Sequence, residues 1–90
     1  MSDLEYKHAA VDRLAAVMKQ KFAEKEPRPS WRETPYALSA YRLWLLNEVD
    51  ELVRAAPGEE MREAADVANL ALIYAEVAIQ RRKTEPKVTP

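Results

Sequence analysis

Apolar residues recur at helical spacing along most of the chain, and prolines interrupt this spacing at only a few points. The 90 residues contain a single glycine, and no stretch alternates apolar and polar residues as a half-buried strand does. Proline lacks a backbone N–H and clashes with the preceding turn, so Pro27, Pro29 and Pro57 end helices. The sequence predicts an all-α fold, with one three-helix domain at residues 1–83 and a flexible tail at 84–90.

Capping signals predict where the helices begin. Ser2, three residues before a glutamate, forms a capping box and predicts that the first helix begins near it. Thr34 followed by Pro35 predicts the N-cap and first residue of the second helix. A third helix is predicted from near Glu59 to near Arg82. Acidic residues at the start of this helix and basic residues at its end favour the helix dipole.

The apolar composition of the third helix predicts that the chain forms an oligomer. Between Ala64 and Ile79, only Asp66, Asn69 and Glu76 are not apolar, and a helix that is apolar nearly all round is buried nearly all round. Two other helices cannot cover every side of it. We therefore expect an antiparallel helical bundle that is completed by homo-oligomerisation. The alternative is a monomer whose third helix exposes much alanine.

Composition excludes several classes of protein. The formal net charge of −1 offers no overall attraction to nucleic acid or to an anionic membrane, and no apolar run is long enough to span one. There is no cysteine, and His8 is the one histidine, so neither a disulfide nor a zinc site is supported. A cytoplasmic protein that binds neither nucleic acid nor membrane is the expectation.

Two acidic pairs carry the chemistry. Glu48 and Glu51 form a Glu-x-x-Glu in the second predicted helix, and Glu63 and Asp66 form a Glu-x-x-Asp in the third. Residues three apart lie on the same side of a helix, so each pair presents two carboxylates in one direction. If the two helices face each other, four carboxylates converge. Such a cluster repels itself unless a cation binds, and Mg²⁺ prefers oxygen ligands and also holds substrate phosphates.

The surroundings of Glu48 favour a metal site over a solvated surface. Its neighbours three and four residues away include Trp44, Leu45 and Leu52, among which an unpaired carboxylate is costly. The alternative is that the four acids form ordinary surface ion pairs with nearby arginines on the same helices, namely Arg42, Arg54 and Arg62.

A basic cluster lies at the end of the first helix and in the link that follows it. Lys21, Arg28 and Arg32 are candidates to hold phosphate oxygens, and Trp31 is a candidate to stack on a base. The alternatives are a solvated face for the basic residues and core packing for the tryptophan.

The acidic motifs resemble those of a known family. The string from Glu48 to Leu52, and the run Glu-Ala-Ala-Asp-Val-Ala-Asn that begins at Glu63, resemble the MazG-like all-α nucleoside triphosphate pyrophosphohydrolases. The Trp31-Arg32 dipeptide ahead of the second helix is also similar. The resemblance covers residues from about Phe22 to Glu76.

The resemblance implies an enzyme that cleaves a nucleoside triphosphate to the monophosphate and pyrophosphate. It implies Mg²⁺ as the cofactor, with Mn²⁺ as a substitute, and a dimer or tetramer. Glu51, Glu63 and Asp66 would be metal ligands. Glu48 would be a ligand or the base that deprotonates the attacking water, and its apolar surroundings favour the base. Asn69 would contact the nucleotide.

The chain also departs from the family pattern. Many relatives carry a second acid where this chain has Asn47, and a lysine and glycines where it has Arg28, Pro29 and Ser30. Phosphoribosyl-ATP pyrophosphatases share the acidic pattern but typically carry a histidine soon after the motif aspartate, which is missing here. That activity is a second alternative, and the first is a non-catalytic helical oligomer or interaction module.

Overall fold

Three helices make up the described part of the chain. The computed structural model describes residues 1–25, 31–32 and 35–84, and within them all regular secondary structure is α-helical. The helices are α1 (Asp3–Glu24), α2 (Leu38–Val53) and α3 (Glu60–Thr84). The all-α prediction is confirmed. The predicted flexible tail, apart from its first residue at the end of α3, lies outside the described residues.

The first helix begins where its capping signal predicted. Ser2 is the N-cap, and its hydroxyl accepts a hydrogen bond of 3.1 Å from the backbone N–H of Glu5, which satisfies one of the free donors of the first turn. Lys7 and Asp3 add an exposed ion pair one turn apart. The helix ends at Glu24, and Lys25 caps it with a backbone N–H that donates to Phe22.

The second helix begins later than Thr34 and Pro35 predicted. Its N-cap is Ala37, and Pro35 lies before the helix, while Thr34 is outside the described residues. A local side-chain contact accompanies this later start: the backbone N–H of Tyr36 donates to the hydroxyl of Tyr41 at 3.1 Å, and Tyr36, Tyr41 and Trp44 pack edge to face. The N–H of Tyr36 is therefore bonded to a side chain. In a helix that began at Pro35, the same N–H would point in a different direction.

A tight turn joins α2 to α3. The carbonyl of Ala56 accepts from the N–H of Glu59 at 2.9 Å, and Gly58 has a φ of +92°. Pro57 followed by a residue at positive φ is the pattern of a type II turn, which needs glycine at this position. The predicted helix break is confirmed, and the short turn keeps the end of α2 close to the start of α3.

The third helix contacts both of the others. α3 packs against α1 and against α2, and its Ala65 and Val77 are among the few fully buried side chains, with Tyr41 of α2. Many large apolar side chains stay exposed, among them Leu43, Leu46 and Val53 of α2. Among the described residues, no helix is long and apolar enough to cross a membrane.

Candidate metal site

Three carboxylates meet between α2 and α3. Glu48 projects from α2, and Glu63 and Asp66 project from the first half of α3; one carboxylate oxygen from each lies within 4.8 Å of the others. All three side chains are half-buried. We call these three residues the acid cluster. Their spacing on each helix, together with the short turn, brings them to one place.

The acid cluster contains buried oxygens that lack hydrogen-bond donors. Within the described residues, Glu48 Oε2, Glu63 Oε2 and Asp66 Oδ1 are inaccessible to solvent and accept no hydrogen bond. Each acid thus contributes one such oxygen. A buried carboxylate oxygen without a partner is costly, because its hydration is lost and nothing replaces it. A proton or a cation would stabilise such an arrangement.

The carboxyl of Glu48 has a raised proton affinity. Burial, the neighbouring Glu51 side chain and the negative charges of Asp66 and Glu63 together raise the pKa of the Glu48 carboxyl to about 7, and burial is the largest of these causes. A carboxyl with this pKa can accept and release a proton near neutral pH.

Glu51 lies beside the acid cluster without belonging to it. It is close enough to Glu48 to raise the pKa of that carboxyl, yet its side chain is exposed, and it is not one of the three acids whose oxygens lie within 4.8 Å of one another. The structure therefore has a half-buried cluster of three carboxylates with Glu51 at its edge, where the sequence predicted four that converge.

A lysine from α1 neutralises part of this charge. Lys21 Nζ lies 2.7 Å from Asp66 Oδ2, and the side chains of Lys21 and Asp66 are only 13% and 15% exposed. The sequence singled out Lys21 as a phosphate ligand, but in the structure it is an ion-pair partner of Asp66. Sequence reasoning missed this pair because the residues lie far apart in the chain and meet only when α1 packs on α3.

Asn69 lies one turn beyond Asp66 and is 6% exposed. Its amide nitrogen donates to the backbone carbonyl of Met18, in α1, at 3.2 Å. Its amide oxygen is buried and accepts no hydrogen bond from the described part of the chain. The nitrogen of Asn69 is therefore already hydrogen-bonded, and its oxygen is the atom that could accept a hydrogen bond from a nucleotide. The nucleotide contact stays a prediction.

The arginines proposed as alternative partners for the acids bind elsewhere. Arg54 pairs with Asp50 at 3.2 Å, and Arg62 pairs with Glu24 at 3.2 Å. Arg42 donates to the hydroxyl of Tyr74 at 3.4 Å. These contacts remove the interpretation of the acid cluster as ordinary ion pairs with these arginines.

The remaining predicted nucleotide contacts lie in the link between α1 and α2. Trp31 is half-buried and Arg32 is exposed, both in a turn. Arg28 lies outside the described residues. Their assignment as nucleotide contacts stays a prediction.

The donor set suits a hard divalent cation. Ligands of one Mg²⁺ ion lie about 2.9–4.2 Å apart, since each is about 2.1 Å from the metal in octahedral geometry. The upper limit of 4.8 Å on the separations within the acid cluster is close to this range. Carboxylate oxygens are the ligands that Mg²⁺ and Mn²⁺ prefer. Comparison with protein-family models, curated proteins and solved structures gave no match.

Proposed function

We propose that this chain is a Mg²⁺-dependent nucleoside triphosphate pyrophosphohydrolase of the MazG-like kind. It would cleave a ribo- or deoxyribonucleoside triphosphate to the monophosphate and pyrophosphate, acting on cytoplasmic nucleotides. The observation that carries the proposal is the set of three buried, unpartnered oxygens, one on each acid of the cluster. A surface cluster that served only solubility would leave its carboxylates in water.

The acids have distinct roles in this proposal. Glu63 and Asp66 would hold the cation from α3, with Glu51 as a ligand from the exposed edge. Bound Mg²⁺ (or Mn²⁺) would neutralise phosphate charge. Glu48 would be a ligand or the general base; as the base it would accept a proton from the attacking water while the water oxygen bonds to phosphorus. The water oxygen would bond to the α-phosphorus. The bond between that phosphorus and the oxygen that bridges the α and β phosphates would break, and pyrophosphate would leave.

The pKa of Glu48 supports its assignment as the base. At about 7, it is high enough to accept a proton from the attacking water and low enough to leave a large ionised fraction near neutral pH. A bound cation would offset the neighbouring negative charges that raise this pKa. Those charges would then oppose the ionisation of Glu48 less strongly.

The assembly that we propose is an antiparallel bundle completed by a homodimer or homotetramer. Two α1–α3 contacts support the antiparallel direction: Lys21 pairs with Asp66, while Glu24, further along α1, pairs with Arg62, which is earlier in α3. Exposed leucines on α2 support an oligomer, since Leu43 and Leu46 are 58% and 61% exposed. Isolated exposed leucines are common, but a row of them on one helix indicates a covered face.

The decisive experiment is an assay of products. Purified protein is incubated with Mg²⁺ and each common ribo- and deoxyribonucleoside triphosphate, and both monophosphate and pyrophosphate are measured. We expect both products from at least one nucleotide, and loss of both in Glu51→Gln and Glu63→Gln. Orthophosphate with diphosphate would show that the bond cleaved is a different one.

A second measurement separates the enzyme from a non-catalytic helical oligomer. Mg²⁺ or Mn²⁺ that binds only the folded protein raises its Tm by mass action. We expect this rise in the wild type and not in Glu63→Gln. An unchanged Tm together with no turnover of any nucleotide would favour the interaction module. A rise in Tm without turnover would point to an unusual nucleotide, and phosphoribosyl-ATP is then the first to assay.

A further inference from the structure

We propose that Lys21 is a positioning residue for the metal site: it binds one oxygen of Asp66 and thereby presents the other to the cation. This inference rests on the proposed metal site. It differs from the prediction that Lys21 holds a substrate phosphate, because it assigns the ammonium to the protein's own carboxylate.

The two oxygens of Asp66 have different environments. Oδ2 lies 2.7 Å from Lys21 Nζ, whereas Oδ1 is buried and accepts no hydrogen bond from the described residues. A freely rotating carboxylate would exchange these environments. The ion pair fixes the rotation, so that Oδ1 is the oxygen that stays without a partner, as are Glu48 Oε2 and Glu63 Oε2. A cation can therefore bind Oδ1 without breaking the ion pair.

The burial of the pair explains why it can hold Asp66. Both side chains are largely shielded from water, so the attraction is screened much less than at the surface. An exposed pair of the same type, Lys7 with Asp3 at 2.8 Å, has side chains that are 68% and 79% exposed. That pair is screened by solvent and includes no residue of the acid cluster. The contrast provides a matched control on the same helix.

Lys21 also connects the first helix to the site. The acid cluster is built on α2 and α3, and α1 contributes no carboxylate to it. Through Lys21, and through the bond from Asn69 to the Met18 carbonyl, α1 fixes the orientation of the α3 side chains. Groups that orient metal ligands in this way typically change metal affinity by about 10–100-fold when they are removed.

The test measures Mn²⁺ binding without nucleotide, by electron paramagnetic resonance of free and bound ion. We expect the Kd for Mn²⁺ to rise about 10–100-fold in Lys21→Met and to stay unchanged in Lys7→Met. Lys21→Arg keeps a cationic donor and is expected to bind Mn²⁺ more tightly than Lys21→Met. If Lys21→Met does not fold, Lys21→Gln replaces it, since glutamine is polar but lacks the ammonium, and the same weakening is expected.

Two results would overturn the inference. An unchanged or smaller Kd for Mn²⁺ in a folded Lys21→Met would show that the ammonium does not prepare the site, and a smaller one would show that it only repels the cation. An unchanged Kd for Mn²⁺ with weaker nucleotide binding would return Lys21 to the role of phosphate ligand. Absence of Mn²⁺ binding by the wild type is a different result, because it would remove the proposed metal site itself.

Discussion

The two sides of α2 have opposite burial patterns. On one side, Glu48 places a polar oxygen where neither water nor a hydrogen-bond donor reaches it. On the other, Leu43, Leu46 and Val53 expose most of their apolar surface; we call these three residues the outer α2 face. At about 100° per residue, these three lie within an arc of about 80°, and Glu48 lies about 140–160° away from them.

The two sides of α2 therefore favour different kinds of partner. Buried carboxylate oxygens are stabilised by a cation, since burial has removed their water. Exposed leucines are stabilised by apolar surface, since water is the unfavourable neighbour. The two proposed associations, one with an ion and one with protein, thus rest on different residues of a single helix, and each can be tested separately.

The largest effect is expected from neutralising the acid cluster. Glu63→Gln keeps the size of the side chain and removes its charge. We expect pyrophosphate release to fall by at least about 100-fold, since a ligand contributes more than the outer groups that orient it, and the Mg²⁺-dependent rise in Tm to disappear. The control is Glu60→Gln, an exposed change in the first turn of the same helix. Equal losses in both variants would show that the cluster has no special role.

Breaking the outer α2 face is expected to have the next largest effect. Leu46→Asp places a charge where the proposed oligomer buries a leucine, and removes about 2–3 kcal/mol of apolar burial per copy. We expect dissociation to a smaller species by light scattering after size exclusion, while Leu46→Met retains the oligomer. Dissociated protein that still gains Tm with Mg²⁺ would show that the two sides of α2 act independently. A wild type that is already monomeric would contradict the proposed oligomer.

A change in pH tests the buried side of α2 through the ionisation of Glu48. The folded-state pKa of Glu48 is about 7, against an ordinary 4.5, so the folded protein holds this proton more tightly than the unfolded chain. Between these two values the unfolded chain ionises first, and Glu48 therefore lowers the stability of the metal-free protein as pH rises; above about 7 the full loss remains. We expect the Tm to fall across this interval, less steeply in Glu48→Gln.

The metal should reverse this dependence on pH. A cation favours the ionised carboxyl, so the gain in Tm from Mg²⁺ should grow as pH rises through the same interval. The measurement is a series of melting curves with and without Mg²⁺, for wild type and Glu48→Gln. Identical pH profiles of the two proteins would show that Glu48 is not the titrating group.

The smallest effect is expected at an exposed ion pair. Arg54→Ala removes the partner of Asp50 on α2, and pairs of this type contribute about 0.3–0.5 kcal/mol. We expect no change in Mg²⁺ affinity and a decrease in unfolding free energy, measured by urea denaturation, within that range. A marked loss of Mg²⁺ affinity would reveal that this arginine acts on the acid cluster after all.

How far the sequence predicts this molecule depends on the range of the contacts involved. Local signals succeed: Ser2 caps α1, and Pro57-Gly58 forms the turn that brings the acid pairs together. The predicted start of α2 was wrong by about one turn. Before the observed start, the N–H of Tyr36 donates to the hydroxyl of Tyr41 in the helix. Capping propensities contain no information about such a contact.

The site shows the same limit. Helical spacing and a short turn were enough to expect that Glu48, Glu63 and Asp66 converge. They were not enough to place Glu51 at the exposed edge, since a small rotation of α2 decides which of its two acids is buried. The ion pair between Lys21 and Asp66 depends on how α1 packs on α3, and neither residue carries a local signal for it.

The turn at Gly58 has a consequence for the order in which the molecule folds. It closes a short loop, and short loops close fast because they lose little chain entropy. The helical hairpin of α2 and α3, which carries all the carboxylates of the acid cluster, can therefore form while α1 is still unattached. We expect self-repulsion of these carboxylates to slow this step without Mg²⁺, so that the cation accelerates folding as well as stabilising the product.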